Sequence, residues 1–316
     1  MNLIFCAYTH APSVVGSHQL TGMGDDAKKR IYEKNICVAL VSAKHHNPAD
    51  EVALITTDAP EEPLRGELER AGVRVIQVPF DSFQMPDRFR WKLAFYKLCA
   101  LHYAAGRPEY DRILLLDTDT FTVGDFTDLW EEADHGILLY PLGHTFSHFD
   151  RLPIRETARV LEGRDAAPVQ YGGEFVAGNR KALQVFTDKC MEIYGQILSA
   201  GDAIPAEIGD EAVLSVAAER CRNLVRDACP YIYRYWTRDF YLVSTNAFSN
   251  PVPIWHLPAE KDLGMLCLYE YYRRKEALPS REKAAGMLGF PRARRPLLFT
   301  DLYLRFLRKK SHAGTR

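Results

Sequence analysis

Short apolar runs alternate with longer segments of helical periodicity along the first 140 residues. The apolar runs predict four β-strands, at Leu3–Tyr8, Val52–Thr57, Val73–Val78 and Arg112–Leu116. Between them, helical spacing of apolar residues predicts helices over Asp26–Lys44, Glu62–Ala71 and Phe89–Ala104. Continuous apolar strands separated by helices are typical of a parallel sheet covered on both faces. The pattern therefore predicts an α/β fold, with a mostly parallel sheet flanked by helices.

The second half of the chain continues this pattern after a loop-rich interval from residue 141 to about residue 170. Tyr171–Gly178 is predicted to be a strand. Because it contains Gly172-Gly173, other groups of the molecule are expected to come close to its backbone. Helices are predicted over Arg180–Ser199 and Asp210–Arg220. Ligands of such sheets bind beyond the carboxyl ends of the strands, so polar residues just after a strand are the first candidates for a site.

Two carboxylates follow the most apolar of these strands. Ile113-Leu114-Leu115-Leu116 runs directly into Asp117-Thr118-Asp119. In extended chain, residues two apart point to the same side, so Asp117 and Asp119 can approach one cation. Hard oxygen ligands suit Mg²⁺ or Mn²⁺, which also bind phosphate oxygens. A turn-forming pair of aspartates is the alternative interpretation.

The composition fits a globular protein, but the charge is unevenly distributed. The 40 basic and 41 acidic residues give a net charge of −1. From Arg273 onward there are 13 Lys or Arg against 3 Asp or Glu, a net of +10, which leaves −11 for the preceding residues. This asymmetry predicts an acidic body followed by a basic segment that contacts something anionic.

Cysteine usage and the absence of targeting signals favour a cytoplasmic protein. The seven cysteines include no C-x-x-C pair, which argues against a zinc knuckle or a redox motif. The N-terminal apolar run is too short for a signal peptide, and no stretch approaches the roughly 20 apolar residues of a membrane span.

Two enzyme classes place Asp-x-Asp after an apolar strand. In phosphotransferases of the haloacid dehalogenase type the first aspartate is a nucleophile, but that motif opens its domain and has Thr where this chain has Phe121. In nucleotide-sugar glycosyltransferases of the GT-A fold the motif comes late in the sheet. Three predicted strands precede Asp117, so its position favours the second class. A nucleotide-binding scaffold without activity is a third possibility, which the intact Asp pair disfavours.

Several segments together resemble family 8 glycosyltransferases, which include glycogenin and bacterial lipooligosaccharide galactosyltransferases. In chain order they are Arg90-Trp91-Lys92-Leu93-Ala94, Asp117–Val123, Phe126–Trp130, Gly209-Asp210-Glu211, and Ile254-Trp255-His256 with Lys261. Tyr171–Gly178 with Asp210-Glu211 is also similar to the matching pair in family 6, although Glu174 stands where these families carry Gly. The resemblance implies a GT-A catalytic domain over residues 1–265.

The resemblance also implies roles for individual residues. Asp117, Asp119 and His256 would bind Mn²⁺ or Mg²⁺. Tyr8 and Thr9 would hold the nucleoside of a UDP-sugar, Lys92 would lie beside the carboxylates, and Lys261 would contact the diphosphate. Asp210 would orient the donor sugar, and Glu211 stands where family 6 has its candidate nucleophile. The implied reaction is retaining transfer of a hexose to a hydroxyl of a glycan or glycolipid.

Several of these residues also have structural interpretations. His256 after Trp255 is compatible with a buried structural histidine, and Lys92 with a solvated helix charge. Asp210-Glu211 begins a predicted helix, so Asp210 is also a candidate N-cap. For Glu211, the positive end of this helix is expected to keep the carboxylate ionised.

Residues 266–316 are predicted to form a basic helical extension. Leu297–Lys310 has the spacing of an amphipathic helix, with Leu298, Leu302 and Phe306 on one side and Arg305 and Lys309 largely on the other. Docking on an anionic membrane surface is the favoured interpretation, and packing on the catalytic domain is the alternative. A nucleic-acid partner is not expected, because no recognised binding motif accompanies the charge.

Overall fold

The structure, a computed structural model, describes residues 1–11, 20, 22–237 and 251–290. Its strands are β1 (Asn2–Tyr8), β2 (Glu51–Thr56), β3 (Arg74–Gln77), β4 (Arg112–Leu116), β5 (Thr120–Thr122), β6 (Ile137–Pro141), β7 (Tyr171–Asn179), β8 (Val225–Asp227), β9 (Ile232–Arg234) and β10 (Ile254–His256). Its α-helices are α1 (Asp25–His46), α2 (Leu64–Arg70), α3 (Tyr96–Ala105), α4 (Thr127–Ala133), α5 (Arg151–Glu162), α6 (Arg180–Ala200), α7 (Asp210–Arg220), α8 (Gly264–Lys275) and α9 (Arg281–Met287).

Seven of these strands form one sheet in the order β3-β2-β1-β4-β7-β6-β8. β7 pairs antiparallel with both β4 and β6, and the other neighbours in the sheet pair in parallel. The predicted α/β architecture with a mostly parallel sheet is therefore confirmed.

Helices cover both faces of this sheet, as the continuous apolar strands predict. Side chains alternate between the faces along β1: Leu3 and Phe5 pack in the core beneath α3 and α6, whereas Ile4 and Cys6 pack with α1. Both sets are fully buried. The β4 strand, whose end carries Asp117, is thus fixed at the centre of the molecule by packing on both sides.

A small second sheet reaches across the end of the large one. It has the order β5-β10-β9, with β10 antiparallel to β5 and parallel to β9. In this register His256 lies opposite Thr120 on β5 and opposite Arg234 on β9. Because β5 begins just after Asp119, this pairing brings distant parts of the chain to the Asp-x-Asp segment.

Two elements differ from the sequence prediction. The helix expected from Phe89 begins as a 3₁₀ turn at Lys92–Phe95 and becomes α3 at Tyr96. The interval expected to be loop-rich contains α5, whose Pro153 lies in the first turn, where a missing backbone N–H costs no hydrogen bond. This helix ends at Gly163, which adopts the left-handed conformation favoured by glycine.

The beginning of the predicted basic extension packs onto the α/β body formed by the preceding residues. The expected boundary at residue 265 falls inside α8, whose Leu268 and Tyr269 are buried in the same core as α1. Ala284 and Ala285 of α9 join that core, while Arg273, Arg274 and Lys275 are exposed. The amphipathic helix expected over Leu297–Lys310 lies outside the described residues. Within the described part of the chain, no helix has the length and apolar character needed to cross a membrane.

Candidate functional site

The candidate site lies at the carboxyl end of β4. Asp117 directly follows this strand, and its backbone N–H donates to the Glu174 carbonyl oxygen over 2.9 Å. Because β7 is antiparallel to β4, its first residues lie at the same edge as the last residues of β4. Side chains from β1, β4, β7 and the small sheet therefore lie together at this edge.

Asp117, Asp119 and His256 come together as the resemblance implies. One carboxylate oxygen of each aspartate and one ring nitrogen of His256 all lie within 4.8 Å of one another. His256 Nε2 is 3.4 Å from Asp119 Oδ2, and His256 Nδ1 is 3.2 Å from Glu174 Oε1. All three residues are thus available to one ion.

Asp119 is fully buried and surrounded by positive charge. Burial disfavours ionisation, but the Lys261 ammonium and the His256 ring outweigh it and hold the pKa of Asp119 well below its usual range. Lys261 Nζ donates directly to Asp119 Oδ2, and the pKa of Lys261 is raised in return. The carboxylate is consequently ionised at neutral pH.

These residues fit a divalent metal. Asp119 Oδ1 is buried and has no hydrogen-bond partner among the described residues, as expected of an oxygen atom that binds a metal ion. The Nδ1 side of His256 faces the Glu174 carboxylate, which is the partner that orients a metal-binding imidazole and leaves Nε2 for the ion. Two carboxylates and one imidazole form a donor set suited to Mn²⁺ or Mg²⁺.

Lys97 lies beside the carboxylates in addition to Lys261, whereas Lys92 lies apart from them. Lys97 Nζ is 3.8 Å from Asp117 Oδ2 and 3.0 Å from Asp210 Oδ2. Lys92 Nζ instead pairs at 2.6 Å with Asp87, whose side chain is exposed. The short 3₁₀ turn before α3 accounts for this, because it places Lys92 ahead of the helix and Lys97 in its first turn.

Asp210 begins α7 without capping it. Gly209 is the N-cap residue, so the N-cap interpretation of Asp210 does not apply. The Asp210 side chain is buried, and burial raises its pKa although Lys97 opposes the effect. Asp210 is therefore held in place by an ion pair with Lys97 rather than by the helix backbone.

Glu211 is held from two sides. Gln170 Nε2 donates to Glu211 Oε2 over 2.8 Å, and Arg234 Nη2 lies 3.6 Å from Glu211 Oε1. Burial raises the pKa of Glu211, and Arg234 opposes this shift. Glu174 raises that pKa further, so the helix N-terminus is not the dominant influence that the sequence suggested.

Glu174, Arg234 and Gln170 are site residues that the sequence analysis did not assign. Arg234 binds Glu174 through two hydrogen bonds of 2.8 and 2.7 Å, and its charge holds the pKa of Glu174 well below the usual range despite burial. The only sequence signal for this pair is Glu174 itself, a carboxylate within an otherwise uncharged strand. Burial of a carboxylate implies a nearby partner of opposite charge, but the sequence does not indicate which residue supplies it.

Two cavities meet at the Lys97–Asp210 ion pair. The first is lined by Tyr8, Thr9, Lys97, Asp117 and Lys261, together with residues of α1. The second is lined by Asp210 and Glu211, and Ala94 lines both. Of the residues expected to bind the nucleotide, Tyr8, Thr9 and Lys261 thus line one cavity, and Lys92 is not among the residues that line it.

Gly172 and Gly173 allow this close packing. A Cβ atom on Gly173 would lie 2.1 Å from Asp210 Oδ2 and 2.7 Å from Lys97 Nζ. One on Gly172 would lie 1.9 Å from Glu174 Oε2. The glycine pair is therefore needed because charged side chains rest directly on the backbone of β7.

Gly173→Ala is expected to lower the free energy of unfolding by about 2 kcal/mol, because the added methyl group overpacks a buried ion pair. Urea denaturation measures the change. The control is Gly195→Ala, in the exposed middle of α6, where a Cβ meets no described atom within 4 Å. This control should raise the free energy of unfolding by up to about 1 kcal/mol, through helix propensity. Equal effects of the two substitutions would contradict the packing described for β7.

A second group of potential ligands lies near the rim of the second cavity. His144, His148 and Asp150 bring nitrogen and carboxylate atoms within 4.8 Å of one another, and the two imidazole rings stack with centroids 3.7 Å apart. His144 Nδ1 lies 3.0 Å from Gln170 Oε1. Sequence analysis gave these histidines no role, and the structure connects them to Glu211 through Gln170.

Comparison with solved structures finds proteins of similar fold. The structure is similar to the crystal structure of mouse xyloside xylosyltransferase 1 in its apo form, with 14% sequence identity and a TM-score of 0.49 over 81% of this chain and 97% of that chain. No protein-family model and no curated protein sequence matches the chain. The resemblance to families 8 and 6 therefore stays a prediction, and the function is inferred from the site itself.

Proposed function

We propose that this protein is a metal-dependent glycosyltransferase that transfers a hexose from a UDP-sugar to a hydroxyl of a glycan or glycolipid, with retention of configuration. The observation that carries the proposal is the meeting of two cavities at Lys97 and Asp210, next to the Asp117–Asp119–His256 group. A transferase needs adjoining sites for donor and acceptor, and the atom that changes partners lies where the sites meet.

In this proposal the first cavity holds the nucleotide sugar. Tyr8 and Thr9 bind the nucleoside, and Thr9 Oγ1 is positioned by Thr57 Oγ1 at 2.9 Å. Asp117, Asp119 and His256 hold the divalent cation, which when bound neutralises charge on the diphosphate. Lys97 and Lys261 add two positive charges on the same side. As the bond between the sugar C1 and the β-phosphate oxygen breaks, its electron pair stays with UDP, and these lysines stabilise the added negative charge.

Glu211 and Asp210 act on the sugar. Loss of the diphosphate leaves positive charge on C1, and an ionised carboxylate close to C1 stabilises or traps it. Arg234 opposes the rise in the pKa of Glu211 that burial causes, and Gln170 fixes the orientation of this carboxyl group. Asp210, fixed by Lys97, orients the sugar hydroxyls. If Glu211 acts on the face opposite the departing phosphate, the product keeps the donor's anomeric configuration, which proton NMR of the product measures.

A panel of nucleotide sugars with Mn²⁺ tests the proposal. We expect at least one UDP-sugar to raise the melting temperature and to be hydrolysed slowly to UDP in the absence of an acceptor. UDP release is measured with a coupled enzyme assay. EDTA should abolish both effects, and Mn²⁺ added in excess should restore them.

Phosphate esters, used as substrates in the same experiment, test whether the protein is a phosphohydrolase instead. A dehalogenase-type phosphohydrolase would release phosphate from them and would form a phosphoaspartate on Asp117. Activity on phosphate esters, with no effect from any nucleotide sugar, would refute the glycosyltransferase proposal. Binding of nucleotide sugars without turnover in the presence of any acceptor would identify a nucleotide-binding scaffold instead.

A further inference from the structure

The second cavity is large enough for a substrate of its own. Its volume is about 540 Å³, within the range of roughly 300–1,000 Å³ that is usual for small-molecule sites. Asp210 and Glu211 lie in its wall, so an occupant reaches the residues that the proposed function places at the donor sugar. Its position on the other side of the Lys97–Asp210 pair from the nucleotide makes it the natural site for the acceptor.

Three aromatic side chains line this cavity. Trp91 and Trp236 are half-buried, and the Phe149 ring is 73% exposed. The Phe149 ring stacks on His148 with ring centroids 4.5 Å apart, and most of its surface remains available to a ligand. The faces of pyranose rings present C–H groups with little polarity, which pack flat against aromatic rings, while their hydroxyl groups remain available for hydrogen bonds. The lining therefore favours a saccharide over a purely polar or a purely apolar ligand.

The charges of the cavity disfavour an anionic acceptor. Among its described lining residues, four carry carboxylates and two carry guanidinium groups: Asp150, Glu207, Asp210 and Glu211 against Arg90 and Arg234. Arg234 is already neutralised by Glu174 through two hydrogen bonds, and Asp210 by its ion pair with Lys97, which leaves three carboxylates against the Arg90 guanidinium. The Arg90 guanidinium lies over the Trp91 ring, 5.0 Å from its centroid. A phosphate or carboxylate on the occupant would thus meet more negative than positive charge.

From these observations we infer that the second cavity binds an uncharged saccharide acceptor, stacked on Trp236 and Phe149, with one hydroxyl directed at the donor sugar. The inference rests on the proposed function. It narrows that function by selecting neutral glycans over anionic ones such as phosphorylated or sialylated sugars.

Saccharide binding tests the inference. Neutral disaccharides (lactose, maltose, cellobiose) and anionic sugars (glucose 6-phosphate, glucuronic acid, sialyllactose) are titrated into the full chain saturated with UDP and Mn²⁺, and binding is followed by calorimetry. At least one neutral disaccharide should bind more tightly than every anionic sugar. Phe149→Ala and Trp236→Ala should each weaken its binding about tenfold, which corresponds to 1.4 kcal/mol for the stacking lost on one ring.

Phe146→Ala is the matched control. Phe146 is also exposed and lies three residues before Phe149, but it is not among the residues lining the cavity. Its removal should leave saccharide binding unchanged within about twofold, a difference well below the tenfold that corresponds to 1.4 kcal/mol. Because the Phe149 ring is largely exposed, its truncation leaves the core packing in place and keeps the comparison valid even if Trp236→Ala destabilises the fold.

The outcomes separate the two proposals. If UDP and Mn²⁺ bind but no neutral disaccharide does, or if an anionic sugar binds best, the inference about the acceptor is wrong and the glycosyltransferase proposal stands. If Phe146→Ala weakens binding as much as Phe149→Ala, the stacking surface is wrong. If no nucleotide sugar binds in the preceding panel, the proposed function itself fails.

Discussion

Replacing Asp119 with Asn is expected to reduce glycosyl transfer about 10³-fold and to lower the free energy of unfolding by about 3 kcal/mol. Activity falls because Asp119 supplies a ligand oxygen for the cation. Stability falls because the Lys261 ammonium, which is almost fully buried, loses the carboxylate that compensates its charge. Steady-state kinetics and urea denaturation measure the two effects.

A double variant separates the two effects of Asp119. In Asp119→Asn with Lys261→Met no unpaired lysine remains, so most of the lost stability should return while transfer stays abolished. Mn²⁺ affinity, measured by calorimetry, should remain low in both variants. Asp202→Asn is the control, since the Asp202 side chain is fully exposed and should affect neither quantity. A double variant as unstable as Asp119→Asn alone would contradict the direct pairing of Asp119 with Lys261.

The large sheet and the Asp-x-Asp position could be predicted from sequence because both depend on local patterns. A short apolar run that ends abruptly in polar residues, such as Ile113–Leu116 before Asp117, is typical of a buried strand. The first polar residue after such a run must lie at the sheet edge. Asp117 was therefore placed correctly at the end of β4 without any knowledge of its neighbours.

The partners of the Asp pair depend on long-range pairing, which local patterns do not encode. His256 reaches Asp119 because β10 pairs with β5 across more than 130 residues of chain, and Arg234 reaches Glu174 through the same small sheet. Each of these strands has three residues, too few for a periodic signal. For His256 only the family resemblance suggested the contact, and nothing in the sequence suggested it for Arg234.

For Lys92 the structure differs from the expected position because the register shifts at the start of a helix. The apolar pattern from Phe89 onward predicts one continuous helix, and the resemblance placed Lys92 at the site. A 3₁₀ turn precedes α3, so the side chain that faces the end of β4 is Lys97. Lys97 is directly followed by the buried Leu98 and Cys99, and a lysine next to such a buried run is itself a signal of a specific partner.

Lys97→Met is expected to reduce transfer about 10²–10³-fold, the cost of removing one preorganised positive group from a site where negative charge develops. The substitution also leaves the buried Asp210 without its ion-pair partner, so the pKa of Asp210 should rise further and the ionised form of this carboxyl group should be disfavoured. Stability should fall as well, by about 3 kcal/mol, because one member of a buried pair remains alone. Kinetics with the UDP-sugar identified in the panel, together with urea denaturation, measure these changes.

Lys92→Met provides the matched control, since it removes the same charge five residues earlier. Lys92 pairs with an exposed aspartate, and exposed ion pairs of this kind contribute little. Transfer and stability should therefore stay close to those of the unmodified protein. A large loss of transfer in Lys92→Met with little change in Lys97→Met would mean that the residues implied by the family resemblance, rather than the ion pairs at the junction of the two cavities, identify the donor site.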